Sequence, residues 1–181
     1  LMVAPATGGS PTDLLPNYEG HVGGIAWQNN DTVMFIGDEG VWTTFAKVSL
    51  NGERKTLIPT GGRILTAFTL SNDGQTAAFV GQSDHRPSDL FTMKHGDEGP
   101  KRLTDSNPWL AQKRLATQEV VKYKARDGLE LVSYLTLPKG SDPDGNGVPD
   151  KALPLVLNVH GGPWGRDSFG YNPAHQWLAN R

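Results

Sequence analysis

The stretch "NVHGGPWGRD", Asn158 to Asp167, follows the apolar run Leu153-Pro154-Leu155-Val156-Leu157 and leaves it through a histidine, two glycines and a proline. Without a Cβ, glycine reaches backbone conformations that other residues avoid and lets the chain approach a neighbour closely. Gly161 and Gly162 therefore mark either a turn that packs a strand against a helix, or a backbone that must lie against something else. His160 reads in the same two ways, as a satisfied interior histidine or as a side chain that takes part in chemistry. A second group, Asp142-Pro143-Asp144-Gly145-Asn146-Gly147-Val148-Pro149-Asp150, places oxygens at alternate positions around glycines. Calcium gathers roughly six to eight oxygens at about 2.3 to 2.6 Å, so Asp142, Asp144, Asn146 and Asp150 are candidate ligands for a structural calcium ion. The segment begins like an EF-hand-type loop but departs from it at the twelfth position, Leu153, where a bidentate glutamate belongs. A polar surface loop rich in turn formers has the same composition.

A nucleophilic serine on a strained strand-to-helix turn needs a glycine two positions to either side. Ser168 has Gly170 after it but Arg166 before it, and no serine at 10, 49, 71, 83, 88, 106, 133 or 141 has both glycines. The chain has no cysteine, hence no thiolate chemistry and no disulfide frame. His21, His85, His95 and His175 read as surface or structural residues.

These groups sit in an ordinary globular composition: 181 residues, 36% hydrophobic, 20% charged, formal net charge -2. Such a balance gives no reason to expect a nucleic acid or an anionic membrane as partner. The longest apolar runs, Leu153 to Val159 and Thr76 to Val80, fall far short of the roughly 20 residues of a membrane helix. The chain starts at Leu1 with no targeting pattern, and both ends read as cuts in a longer protein.

The elements that must position the glycine loop come from the spacing of strands and turns. "TVMFIG" at Thr32 to Gly37 matches "TAAFVG" at Thr76 to Gly81 at an offset of 44 residues, and Asn51-Gly52 matches His95-Gly96 at the same offset. Each unit runs from an apolar strand (Ile25 to Trp27; Phe68 to Leu70) through a polar turn ("QNND"; "SNDG") and a β-rich strand to a third strand, and ends on "RKTLI" or "PKRLT". A period of about 40 to 50 residues built of four short strands is the pattern of β-propeller blades, with antiparallel hairpins in a sandwich as the alternative. Leu1 to Ala4 reads as the tail of an earlier blade. Beyond Asn107-Pro108-Trp109 the period stops. Glu119 to Lys124 and Leu129 to Leu137 alternate around "RDG" as a hairpin, Leu155 to Val159 reads as a buried strand, and Pro173 to Arg181 as a helix capped by Asn172. The expected fold is thus β-propeller blades over residues 1–110, followed by the N-terminal part of an α/β sheet domain over residues 111–181.

The passages "VVKYKARDGLELVSYLTLPKG" and "PLVLNVHGGPWGRDSFGYNPAHQWLANR" resemble the prolyl oligopeptidase family of serine peptidases, in its acylaminoacyl-peptidase and dipeptidyl-peptidase-like branch. The resemblance implies a propeller ahead of an α/β-hydrolase domain, a peptide substrate and no required cofactor. It assigns the His160-Gly161-Gly162-Pro163 loop to the oxyanion hole, with the N–H of Gly161 or Gly162 as donor and the His160 side chain able to share the role. It also puts Trp164 in the pocket for a substrate side chain. The family order of serine, aspartate and histidine puts all three beyond Arg181, so residues 1–181 alone are expected to be inactive. Two other classes stay open: a carboxylesterase-like α/β-hydrolase, and a noncatalytic propeller that only binds.

Overall fold

The computed structural model describes residues 1–162 and 165–181, and its backbone falls into two compact units. The first comprises Leu1–Ser83 and Ser88–Ser106, the second Asp84–Pro87 and Asn107–Arg181.

The first unit is built of antiparallel strands. Strand β1 (Met2–Val3) pairs with β2 (Thr12–Asp13). Strands β3 (His21–Asn29), β4 (Thr32–Glu39), β5 (Trp42–Ser49) and β6 (Arg54–Ile58) form one four-stranded sheet in chain order. Strands β7 (Ile64–Leu70), β8 (Thr76–Ser83), β9 (Arg86–Lys94) and β10 (Lys101–Arg102) form a second with the same order. The repeated hexapeptides occupy the second strand of each sheet, β4 and β8. The paired turns also agree: Gly52 and Gly96 both have positive φ, 86° and 90°, which a residue with a side chain rarely adopts.

Sheet faces explain why "VMFI" in β4 is apolar without alternation. Side chains alternate between faces along a strand, so a strand covered on both sides needs apolar residues at every position. Met34 and Ile36 pack with Phe45, Ile58, Leu65, Phe79, Phe91 and Met93 between the two sheets. Val33 and Phe35 point the other way and pack with Leu14, Leu15, Ala46 and Val48. The edge-to-face contacts of Phe45 with Phe79 at 4.8 Å and with Phe68 at 5.0 Å lock the two sheets at the centre of the first cluster. Emptying that position, Phe45→Ala, removes a fully buried ring and costs about 3 to 5 kcal/mol.

Polar contacts fix the register between the sheets. Thr43 Oγ1 on β5 accepts the Leu65 N–H of β7 at 2.8 Å, in a buried position. The Gln28 side chain donates to the Gly74 carbonyl at 3.2 Å, bringing together the two polar turns that the repeat set in register. A Cβ on Gly74 would stand 2.4 Å from the Gln28 carbonyl oxygen, so only glycine allows that approach.

The second unit opens with a short 3-10 helix, Pro108–Gln112. Strands β11 (Thr117–Lys124) and β12 (Glu130–Leu137) pair antiparallel around a turn at Gly128, whose φ is 89°. Helix α1 (Pro173–Ala179) begins at Asn172, whose side chain accepts the N–H groups of Ala174 at 2.9 Å and His175 at 3.2 Å. Hairpin and capped helix follow the sequence closely. The apolar run does not: residues 153–159 form no strand, and Leu155 and Leu157 are 86% and 79% exposed. A strand exists only through hydrogen bonds to a neighbour, and a fully apolar one must be covered on both faces. Among the described residues none supplies that neighbour or that cover.

Candidate functional site

The glycine loop leaves the extended run 153–159 at His160 and returns to packed structure at Phe169 and Gly170. His160, Gly161 and Gly162 are exposed, and a Cβ built on Gly161 meets no atom within 4 Å. Packing therefore does not explain Gly161; the space beside it is open. Gly162 has φ +141°, a conformation that L side chains rarely adopt. Gly165, which sequence reasoning passed over, is the crowded one. Its Cβ would stand 2.4 Å from the Gly161 carbonyl oxygen, because the loop folds back on itself there. Trp164, the expected pocket residue, and Pro163 lie outside the described residues.

His160 Nδ1 lies 2.8 Å from the Gly161 carbonyl oxygen. A carbonyl only accepts, so the ring proton sits on Nδ1 and a neutral His160 keeps Nε2 as an acceptor. In that state the ring cannot donate to a developing oxyanion through Nε2. Backbone N–H groups carry no such condition.

Both exits of the loop are tied to neighbouring elements. Before it, the Asn158 side-chain amide donates to His175 Nε2 on α1 at 3.0 Å. After it, the Tyr134 hydroxyl on β12 donates to the Asp167 carbonyl at 3.3 Å, and its ring meets buried Phe169 edge-on at 6.1 Å. Burial pushes the Tyr134 phenol above its ordinary pKa, which keeps it a neutral donor. The Gly170 N–H donates to Gln118 Oε1 on β11 at 3.1 Å. Gln176 on α1 closes a two-point contact with Ala116, accepting its N–H at 2.8 Å and donating to its carbonyl at 2.9 Å. The sequence alone does not point to Gln118, Gln176, Tyr134, Asn158 or His175 as site residues, since their partners lie 17 to 60 positions away and no local pattern links them.

The aspartate loop is closed by its own groups. Asp142 accepts the N–H of Asn146 at 3.1 Å and of Gly147 at 2.8 Å. Asp144 accepts from the N–H of Asn146 at 3.3 Å and from its side-chain amide at 2.8 Å, and the Asp150 N–H donates to the Ser141 carbonyl at 2.8 Å. Partial desolvation raises the Asp142 pKa, but the N–H donors outweigh it and hold the carboxyl below its ordinary value. Among the described residues, no three His, Cys, Asp or Glu side chains are grouped so as to hold a metal ion. The converging donors are two carboxylates and one amide, against the six to eight oxygens that calcium takes.

No protein-family model matches the chain. It is 51% identical over 80 residues to dipeptidyl aminopeptidase BIII of Pseudoxanthomonas mexicana, covering 44% of this chain and 12% of that protein. It is 28% identical over 131 residues to dipeptidyl peptidase family member 6 of Caenorhabditis elegans, covering 65% of this chain and 18% of that one. The chain thus spans less than a fifth of the length of either relative. Among solved structures, the acylaminoacyl peptidase of Pyrococcus horikoshii matches with a TM-score of 0.73 at 19% identity, over 94% of this chain and 25% of that one. The chain is a relative of peptidases, and its resemblance to the prolyl oligopeptidase family stands. No helix is long and apolar enough, among the described residues, to cross a membrane.

Proposed function

We propose that residues 1–181 belong to a serine-type peptidase of the prolyl oligopeptidase family that hydrolyses short peptides. In this reading the two four-stranded sheets are blades of a β-propeller over residues 1–110. Residues 111–181 begin an α/β-hydrolase domain, and the catalytic serine, aspartate and histidine lie outside the 181 residues. The exposed apolar run 153–159 is then covered by parts of the hydrolase domain that also lie outside them.

The observation that carries the reading is the 51% identity to a dipeptidyl aminopeptidase, in a chain whose glycine loop keeps an unobstructed backbone at Gly161. When a serine oxygen adds to a peptide carbonyl, the C=O electron pair moves onto oxygen. Fixed N–H donors aimed at that oxygen stabilise the transition state by about 3 to 4 kcal/mol each. Gly161 and Gly162 supply such donors from a loop after an early strand, the arrangement of α/β-hydrolases. The intermediate then expels the amine, leaving an acyl-enzyme that water hydrolyses. Trp164 is in this reading a substrate-binding residue. A calcium ion at Asp142, Asp144, Asn146 and Asp150 is a separate proposal on which no catalytic step depends.

The test is made on the full-length protein that contains this segment. It should cleave chromogenic short-peptide amides and be labelled covalently by a fluorophosphonate at a single serine. A folded protein that neither cleaves nor takes the label would overturn the proposal.

A further inference from the structure

We infer that Gln118 and Gln176 are positioning residues for the glycine loop, acting through its two exits; the inference rests on reading that loop as the oxyanion site. Both side chains are buried, with 8% and 7% of their surface exposed. An amide is taken out of water without loss only where its hydrogen-bond partners are in place, so two buried glutamines in one small unit need an account. Their partners give it. Gln118 Oε1 receives the Gly170 N–H, 52 positions away, and so ties the downstream exit of the loop to β11. Gln176 binds both backbone groups of Ala116, 60 positions away, and so ties α1 to the chain entering β11.

The upstream exit depends on the second of these ties. Asn158, two residues before His160, is held by His175, the neighbour of Gln176 on α1. A shift of α1 therefore moves the entry to the loop, while a shift of Gly170 moves its return. Between those points His160, Gly161 and Gly162 are exposed and Gly161 has open space at its Cβ, and the contacts there, His160 Nδ1 and Gly165 against the Gly161 carbonyl, lie within the loop itself. The direction of the donors is inherited from the ends. An oxyanion donor works only when its N–H is aimed at the oxygen, and a misplacement of about 1 Å costs up to roughly a hundredfold in rate. Neither glutamine touches substrate in this account.

The experiment uses the full-length protein and a chromogenic short-peptide amide. Gln118→Met keeps length and loses the acceptor, whereas Gln118→Glu keeps an acceptor oxygen. Gln118→Met and Gln176→Met should lower kcat roughly tenfold or more with KM changed by less than about twofold, and Gln118→Glu should recover most of the loss. In a Gly161→Val background the Gln118→Met effect should shrink, since both act on one loop. Should Gln118→Met fail to fold, Tyr134→Phe, which removes only the hydroxyl tie to Asp167, replaces it and should show the same kcat-selective loss. Unchanged kcat in a folded Gln118→Met or Tyr134→Phe protein overturns the positioning role. So does a loss that merely tracks the fraction of folded protein. Full turnover in Gly161→Val would instead overturn the oxyanion reading itself, whatever the glutamine variants do.

Discussion

Asp89 Oδ1 takes two hydrogen bonds from one residue: the Ser106 N–H and the Ser106 hydroxyl both donate to it at 2.9 Å. The Thr104 hydroxyl adds a third at 2.8 Å. Asp89 is thus the clasp that holds the segment after β10 back onto β9. Burial pushes its carboxyl up, but the N–H and hydroxyl donors with the nearby Arg102 guanidinium outweigh this and hold it below its ordinary pKa.

The sign of the pH effect follows from that shift. A carboxyl whose folded pKa lies below the unfolded value, about 3.9, contributes stability above that value and loses it as pH falls through the folded one. Denaturant midpoints measured from pH 6 downward, on the order of half a pH unit apart, should fall below about pH 4. Asp89→Asn should lower the plateau and flatten the acid limb, and an unchanged acid limb would remove Asp89 as its source.

Gly161 and Gly165 should respond in opposite ways. Gly161→Val places its side chain in open space, so the fold should hold while turnover drops by roughly a hundredfold or more, as when an oxyanion donor is blocked. Gly165→Ala drives a Cβ against the Gly161 carbonyl and should distort the loop despite adding only a methyl group. Melting curves beside peptide-amide kinetics separate the two. Loss of folding in Gly161→Val would show that this glycine packs rather than leaves room.

His160 should matter less than the backbone beside it. Its ring proton is committed to the Gly161 carbonyl, so the neutral side chain has no N–H left for the oxyanion. His160→Ala should therefore cost far less than the roughly hundredfold expected for a lost oxyanion donor. A loss of that full size in kcat, with KM unchanged, would return the side chain to the oxyanion hole.

At the aspartate loop, Asp142→Ala removes the acceptor for the Asn146 and Gly147 N–H groups. Hydrogen exchange at those two amides should accelerate while the amides of β11 and β12 keep their protection. The unsubstituted protein tests for calcium. An ion bound only in the folded state raises the melting temperature by mass action, and Asp144→Ala should abolish the rise. Coincident melting curves with calcium and with chelator would leave the loop fastened by its own hydrogen bonds.

Much of this molecule is local, and what is local can be read along the chain. The repeated apolar hexapeptides of β4 and β8, the turns at Gly52 and Gly96, the hairpin around Gly128 and the Asn172 cap each depend on residues a few positions apart. The strands of the two four-stranded sheets, the hairpin and α1 are therefore legible along the chain. The rest depends on contacts between distant positions. Residues 153–159 have the composition of a buried strand yet form none, because pairing and cover come from elsewhere in a fold and not from the run itself. Gly161 and Gly165 are the same residue type four positions apart, but only the fold-back of the loop makes one crowded and leaves the other open. Gln118 and Gln176 carry no local pattern at all; their burial is settled by backbone partners 52 and 60 positions away, where hydrogen bonding has to replace lost water.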